Sequence, residues 1–239
     1  MPNQNTSLVS PAIRCAGRVW CALPLAATAL FLVIGAATEA QAPLKERLKD
    51  SPFKIAYECY VNGNWEIFVM NADGSKPVNL TGTPKEHEHY PQVSPDGQHI
   101  VFARCFPDQP CLVATVNING GNLRQLTDNA QFDVEHPNWS PDSKKIVFEM
   151  QANTLDIATV NANGSGLTKL TLNPSQTFSR SPCYSPDGTR ILFQQRPSTG
   201  SSHSNYGVDL FTMNPDGSGV TQVTRTATNE RDPEWATAS

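Results

Sequence analysis

Short apolar stretches separated by clusters of turn-forming residues run through the chain from about residue 54 onward. Apolar triplets stand at Ile55-Ala56-Tyr57, Ile100-Val101-Phe102, Ile146-Val147-Phe148 and Ile191-Leu192-Phe193. They are too short for helices and rich in β-branched and aromatic residues, which predicts buried strands. A second series of strands, at 66–74, 113–120, 156–164 and 209–217, runs into Asn-x-(Asp/Asn)-Gly or Asn-Pro-Asp-Gly turns. A third begins Pro-x-(aromatic or Val)-(Ser or Ala): Pro91-Gln92-Val93-Ser94, Pro137-Asn138-Trp139-Ser140, Pro182-Cys183-Tyr184-Ser185 and Pro233-Glu234-Trp235-Ala236. The fourth is a Leu/Val-Thr pair, Leu80-Thr81, Leu126-Thr127, Leu170-Thr171 and Val223-Thr224, spaced 46, 44 and 53 residues apart. The longest interval holds an insertion, 196–207, whose Pro, Ser, Gly and Asn content predicts a loop.

These series make one repeat, read four times. The first three Pro-x-x-Ser elements continue as Pro95-Asp96-Gly97, Pro141-Asp142-Ser143 and Pro186-Asp187-Gly188. There Pro presets φ at the second turn position and Gly accepts positive φ at the fourth. Asn71-Ala72-Asp73-Gly74 is read as a hairpin turn, because an EF-hand loop needs an Asp-x-Asp-x-Asp-Gly start and a Glu at its twelfth position. Each repeat supplies strands a (Pro-x-Trp-Ser), b (Ile-Val-Phe), c (Ile-Phe-Val-Met) and d (Leu-Thr). A single four-stranded sheet cannot bury both faces, and radial stacking around an axis does so. The expected fold is therefore all-β: a small propeller of four blades, each of four antiparallel strands. Val93, Trp139, Tyr184 and Trp235 are expected to pack between blades. The chain opens on strands b, c and d and ends on a lone strand a, so pairing of the terminal strands is expected to close the ring.

Residues 1–42 differ in kind. Arg14 and Arg18 precede an apolar run over 19–37, and small residues lead to Ala40 and Ala42. This reads as a secretory signal cleaved after Ala40, or else as an uncleaved membrane anchor. Residues 43–52 are then a short linker, 53–236 the propeller and 237–239 a tail. Loss of 1–42 removes Arg14, Arg18 and Glu39 and changes the formal net charge from −4 to −5. With no basic stripe, nucleic acid is not expected as a partner. Export permits disulfides, and Cys105 and Cys111 flank a predicted loop that they can bridge; alternatively they stay, with Cys59 and Cys183, as buried thiols.

Together, Pro-x-Trp-Ser-Pro-Asp-Gly-x-x-Ile-x-Phe, Asp-Ile-x-x-Met-Asn-x-Asp-Gly-Ser and Leu-Thr resemble the TolB-type, WD-like propeller repeat, also found in the propeller domains of tricorn-like and dipeptidyl-peptidase-like proteins. The resemblance implies a propeller that binds a protein or envelope component in the periplasm or outside the cell. Relatives of this type usually carry six or seven blades, more than the four repeats read here. No Gly-x-Ser-x-Gly elbow, His-Glu-x-x-His helix or phosphate-cradling Gly loop occurs.

One polar constellation precedes the strand a prolines and is expected at one mouth of the channel. Its candidate binding residues are His87, Glu88, His89, Glu135, His136, Arg180, Glu230 and Arg231. Resemblance to lyases with this repeat implies a divalent metal on His87, His89 and His136, with Glu135 beside them; the alternative is a rim of salt-bridged, solvated side chains. Three functions compete: a non-enzymatic binding module, a metal-dependent lyase-like enzyme, and open four-blade units that assemble into larger rings.

Overall fold

A computed structural model describes residues 43–128, 131–173, 177–196, 207–226 and 228–236. The expected signal segment, nearly all of the 196–207 insertion and the tail lie outside the described residues. Among those described, one helical turn, Leu44–Arg47, falls in the expected linker, and no helix is long and apolar enough to cross a membrane.

All remaining elements are strands. The first repeat forms β1 (Lys54–Val61), β2 (Asn64–Asn71) and β3 (Val78–Asn79). β1 and β2 pair from Lys54↔Asn71 to Val61↔Asn64, around Asn62 and Gly63 at φ 53° and 100°. Positive φ at both central positions is the type I′ hairpin, whose twist matches that of the strands it joins. The second repeat forms β4 (His87–Val93), β5 (His99–Cys105), β6 (Leu112–Asn117) and β7 (Arg124–Gln125). The third forms β8 (Asp133–Trp139), β9 (Lys145–Gln151), β10 (Leu155–Asn161) and β11 (Thr168–Lys169). The fourth forms β12 (Phe178–Tyr184), β13 (Ile191–Arg196), β14 (Asp209–Met213) and β15 (Thr221–Gln222). Within each repeat the strands meander antiparallel in chain order.

The repeat motifs have visible structural duties. In the Ser-Pro-Asp-Gly turn, Gly97 N–H donates to Ser94 O (2.8 Å), while Ser94 Oγ accepts from His99 N–H (2.9 Å) and donates to Asp96 Oδ1 (2.6 Å). The acid that opens strand c and the Thr of Leu-Thr form a second device. Thr171 Oγ1 accepts from Ile157 N–H (2.9 Å) and donates to Asp156 Oδ1 (2.9 Å), and Asp156 also takes Asn173 N–H and Lys169 Nζ. The buried Asp156 is thus fully partnered and structural.

Three hydrophobic clusters hold the repeats face to face. One joins Ala56, Ile67, Val69 and Leu80 of the first repeat to Ile100, Phe102, Ala114 and Val116 of the second. Another joins Val101, Val113 and Leu126 to Trp139, Phe148 and Val160 of the third, and the last joins Val147 and Ile157 to Tyr184, Ile191, Phe193, Phe211 and Met213 of the fourth. Face-to-face burial between successive sheets is propeller-like packing.

Two details differ from the sequence expectation. Hydrogen bonding yields three sheets rather than four: β1-β2-β3, β4-β5-β6-β7, and an eight-stranded sheet in which the third and fourth repeats touch through one parallel pair, Leu155↔Phe178. The terminal strands also do not close a ring. The described residues around Pro233 form no strand, and β1 pairs only with β2. Asp232 N–H instead donates to Gln194 Oε1 (3.0 Å), Ser181 Oγ to Asp232 Oδ1 (3.1 Å) and Cys183 Sγ to Pro233 O (3.4 Å). The last segment therefore lies against the fourth repeat, as each inner strand lies against the repeat before it.

Candidate functional site

The inner strands β4, β8 and β12 begin before their prolines, so the polar constellation lies on the strands rather than in the loops ahead of them. Pairing with the neighbouring strand shifts register between His89 and Gln92, between Glu135 and Asn138, and between Arg180 and Cys183. These are β-bulges, which suit Pro because it has no N–H for the ladder. The residue before each Pro takes the left-handed conformation: Tyr90 (φ 59°), His136 (φ 49°), Ser181 (φ 48°) and Asp232 (φ 52°). Each such non-Gly residue carries about 1–3 kcal/mol of strain, which the surrounding bonds must offset.

One offsetting bond crosses from repeat to repeat. The strand b residue after the aromatic accepts the backbone N–H of the left-handed residue in the next repeat. Glu58 Oε1 takes Tyr90 N–H (3.2 Å), Glu149 Oε1 takes Ser181 N–H (2.7 Å) and Gln194 Oε1 takes Asp232 N–H (3.0 Å). In β5 this position is Ala103, which has no side-chain acceptor.

The latches bring ionisable groups together in two places. At the first, His89 Nδ1 lies 2.9 Å from Glu58 Oε2, and the His87 and His89 rings stack 6.1 Å apart. His87 Nδ1 accepts Trp65 N–H (3.2 Å). At the second, His136 Nδ1 lies 2.8 Å from Glu149 Oε1 and 3.9 Å from Glu135 Oε2, and Arg180 Nε lies 4.0 Å from Glu149 Oε2. The Tyr90 ring covers the His136 ring at 4.2 Å and bridges toward the first place.

Local electrostatics follow from burial. Glu149 is only 1% exposed. Burial and then the neighbouring Glu149 charge raise the Glu135 carboxyl above the usual carboxylate range. For His136, burial opposes the charged ring, but the adjacent Glu149 and Glu135 outweigh it and raise the imidazole above its ordinary value. Burial, then Glu135, Glu58 and Glu149, push the Tyr90 hydroxyl up to about 12.

The expected site residues thus separate. Glu135, His136 and Arg180 converge, joined by Glu149 and Tyr90, which the sequence reading missed. His87 and His89 form their own pair around Trp65 and Glu58. Glu88 points inward, fully buried and hydrogen-bonded to Thr83. Glu230 binds Thr224 and Thr226 Oγ1 in the fourth repeat, and Arg231 is exposed. Among the described residues, Glu135, His136 and Glu149 form a group whose potential ligand atoms all lie within 4.8 Å of one another. Cys105 and Cys111 form a disulfide across the β5–β6 loop. A buried carboxylate inside the apolar strand Lys145–Gln151 was the available signal for Glu149, since such a charge is seldom buried without a partner.

Residues 52–239 match the family model of the TolB beta propeller domain. Among solved structures, a protein assigned to TolB from Agrobacterium tumefaciens is similar at 24% identity and TM-score 0.59, over 71% of this chain and 60% of that one. TolB from Acinetobacter baumannii is similar at 20% identity and TM-score 0.59, over 74% of this chain and 42% of that one. A puromycin hydrolase is similar at 17% identity and TM-score 0.59, over 73% and 29%. The chain spans less than two thirds of each, and at these identities the likeness is one of fold.

Proposed function

The chain belongs to the TolB beta propeller domain family, and from that premise we propose that it is a non-enzymatic binding module of the cell envelope. In this reading the sheets are four blades, the third and fourth touching at one residue pair, and residues 1–42 direct export. The ligand is a protein or another envelope component, held at the polar recess between β4, β8 and β12. One observation carries the reading: Tyr90, His136 and Ser181 on successive inner strands, and Asp232 in the last segment, are four different side chains in one strained position before Pro. A rigid repeat that displays dissimilar groups from one fixed position suits recognition.

The test has two arms. Sequencing the N-terminus of protein recovered from the envelope fraction is expected to start after Ala40; recovery only from the cytosol would overturn the localisation. Affinity capture with the full chain is expected to retain an envelope partner, and Tyr90→Ser with Arg180→Glu to release it. Capture that those substitutions leave unchanged would overturn the site.

A further inference from the structure

We propose that Glu135, His136 and Glu149 form a binding site for one divalent transition-metal ion of the Zn2+ or Mn2+ class. The inference does not rest on the binding role above.

Glu149 has one structural duty. Its latch to Ser181 N–H requires one carbonyl-type oxygen, which the amide of Gln194 supplies at the same position of the next repeat. The second repeat has Ala103 there and folds with no such latch. A carboxylate charge at 1% exposure is therefore more than the latch requires, and burying it is costly unless a positive partner compensates. Glu149 Oε2 is buried with no hydrogen-bond partner, and so is Arg180 Nε beside it. His136 Nδ1 faces Glu149 Oε1 at 2.8 Å, an ion pair that occupies Oε1 and leaves Oε2 with only Arg180 Nε at 4.0 Å.

Donors bound to one ion at about 2.1 Å stand roughly 3–3.5 Å apart. The ligand atoms here lie within 4.8 Å, and Glu135, whose side chain is 37% exposed, is free to rotate inward. One imidazole and two carboxylates suit a borderline transition metal better than Ca2+, which prefers six to eight oxygens. Three protein donors leave further positions open to water or to an anionic group of a ligand. Arg180, at 4.0 Å from Glu149, limits the positive charge the recess accepts and favours a single ion.

Titration calorimetry of the metal-stripped full chain with ZnCl2 and with MnCl2 is expected to show one site. Glu149→Gln keeps the oxygen that holds Ser181 and is expected to weaken binding at least about tenfold. His136→Asn tolerates the left-handed backbone, and Glu135→Gln alters a half-exposed side chain; each is expected to weaken binding similarly. A His87→Ala/His89→Ala variant is expected to bind as the parent does. No saturable site for either ion, unchanged binding in Glu149→Gln and Glu135→Gln, equal loss in the His87/His89 variant, or tighter binding of Ca2+ than of Zn2+ would each overturn the proposal.

Discussion

Glu88 shows how much one side chain here can shift stability. It is fully buried and accepts the Thr83 hydroxyl. Burial first, with nearby Glu66 also contributing, raises its carboxyl to about 7. The folded state therefore binds more protons than the unfolded chain between the ordinary carboxyl value of 4.5 and about 7. Stability falls as pH rises through that window, by about 3 kcal/mol from this group alone. Glu88→Gln keeps an acceptor for Thr83 and removes the titration. Urea unfolding at pH 5 and pH 8 is expected to show the variant gaining roughly 2–3 kcal/mol on the parent between the two; equal pH slopes would refute the assignment. The turn glycines make a second, sharper comparison. Gly74 and Gly217 both have positive φ, 80° and 86°, but a Cβ on Gly74 meets nothing within 4 Å, whereas one on Gly217 meets Leu170 O at 2.7 Å. Gly74→Ala should lose about 1 kcal/mol through backbone strain alone, and Gly217→Ala at least ~2 kcal/mol, because the carbonyl of the preceding repeat must also move.

At the scale of elements, the inner strand is where sequence and structure part. The strand b triplets, the Asn-x-Asp-Gly hairpins and the Ser-Pro-Asp-Gly turns were legible because each has a residue type tied to one backbone conformation. The bulge before Pro was not, since Tyr90, His136, Ser181 and Asp232 share no side-chain chemistry, and of these only His and Asp are enriched at positive φ. For that reason the polar cluster was expected ahead of the strands, and the latch residues Glu58, Glu149 and Gln194 passed as parts of apolar strands. The site was legible by half: Glu135, His136 and Arg180 could be found from their place before Pro, whereas Glu149 depends on a contact between repeats. The latch itself is testable. Gln194→Ala removes the acceptor for Asp232 N–H and should cost about 1 kcal/mol, expressed locally. Hydrogen exchange is expected to speed up at Asp232 and its neighbours; unchanged exchange at Asp232 would mean that the Ser181–Asp232 and Cys183–Pro233 contacts suffice to hold the segment.

The whole molecule is an arc of repeats joined by three clusters, with no ring closure among the described residues. In a closed propeller every sheet is covered on both faces, and no sheet can leave first. In an arc, stability is closer to a sum of repeat and interface contributions, so opening can start at an end. Burial already grades this way: Phe102, Phe148 and Phe193 are wholly inaccessible, while Tyr57 at the same position of the first repeat is half-buried. β9 and β10, sandwiched between the second and third clusters, are expected to exchange their amides only by global unfolding. β1 and β2, held by one cluster, are expected to exchange through a smaller opening. Ile157→Ala truncates a fully buried side chain of the third cluster, which stays folded when β1 and β2 open, at a cost of about 2–5 kcal/mol. Native-state exchange should then show β9 and β10 losing protection by that amount while β1 and β2 stay unchanged. If all four strands lost protection together, the repeats would be coupled as in a closed ring, and the first repeat would have to be held by contacts beyond those of this arc.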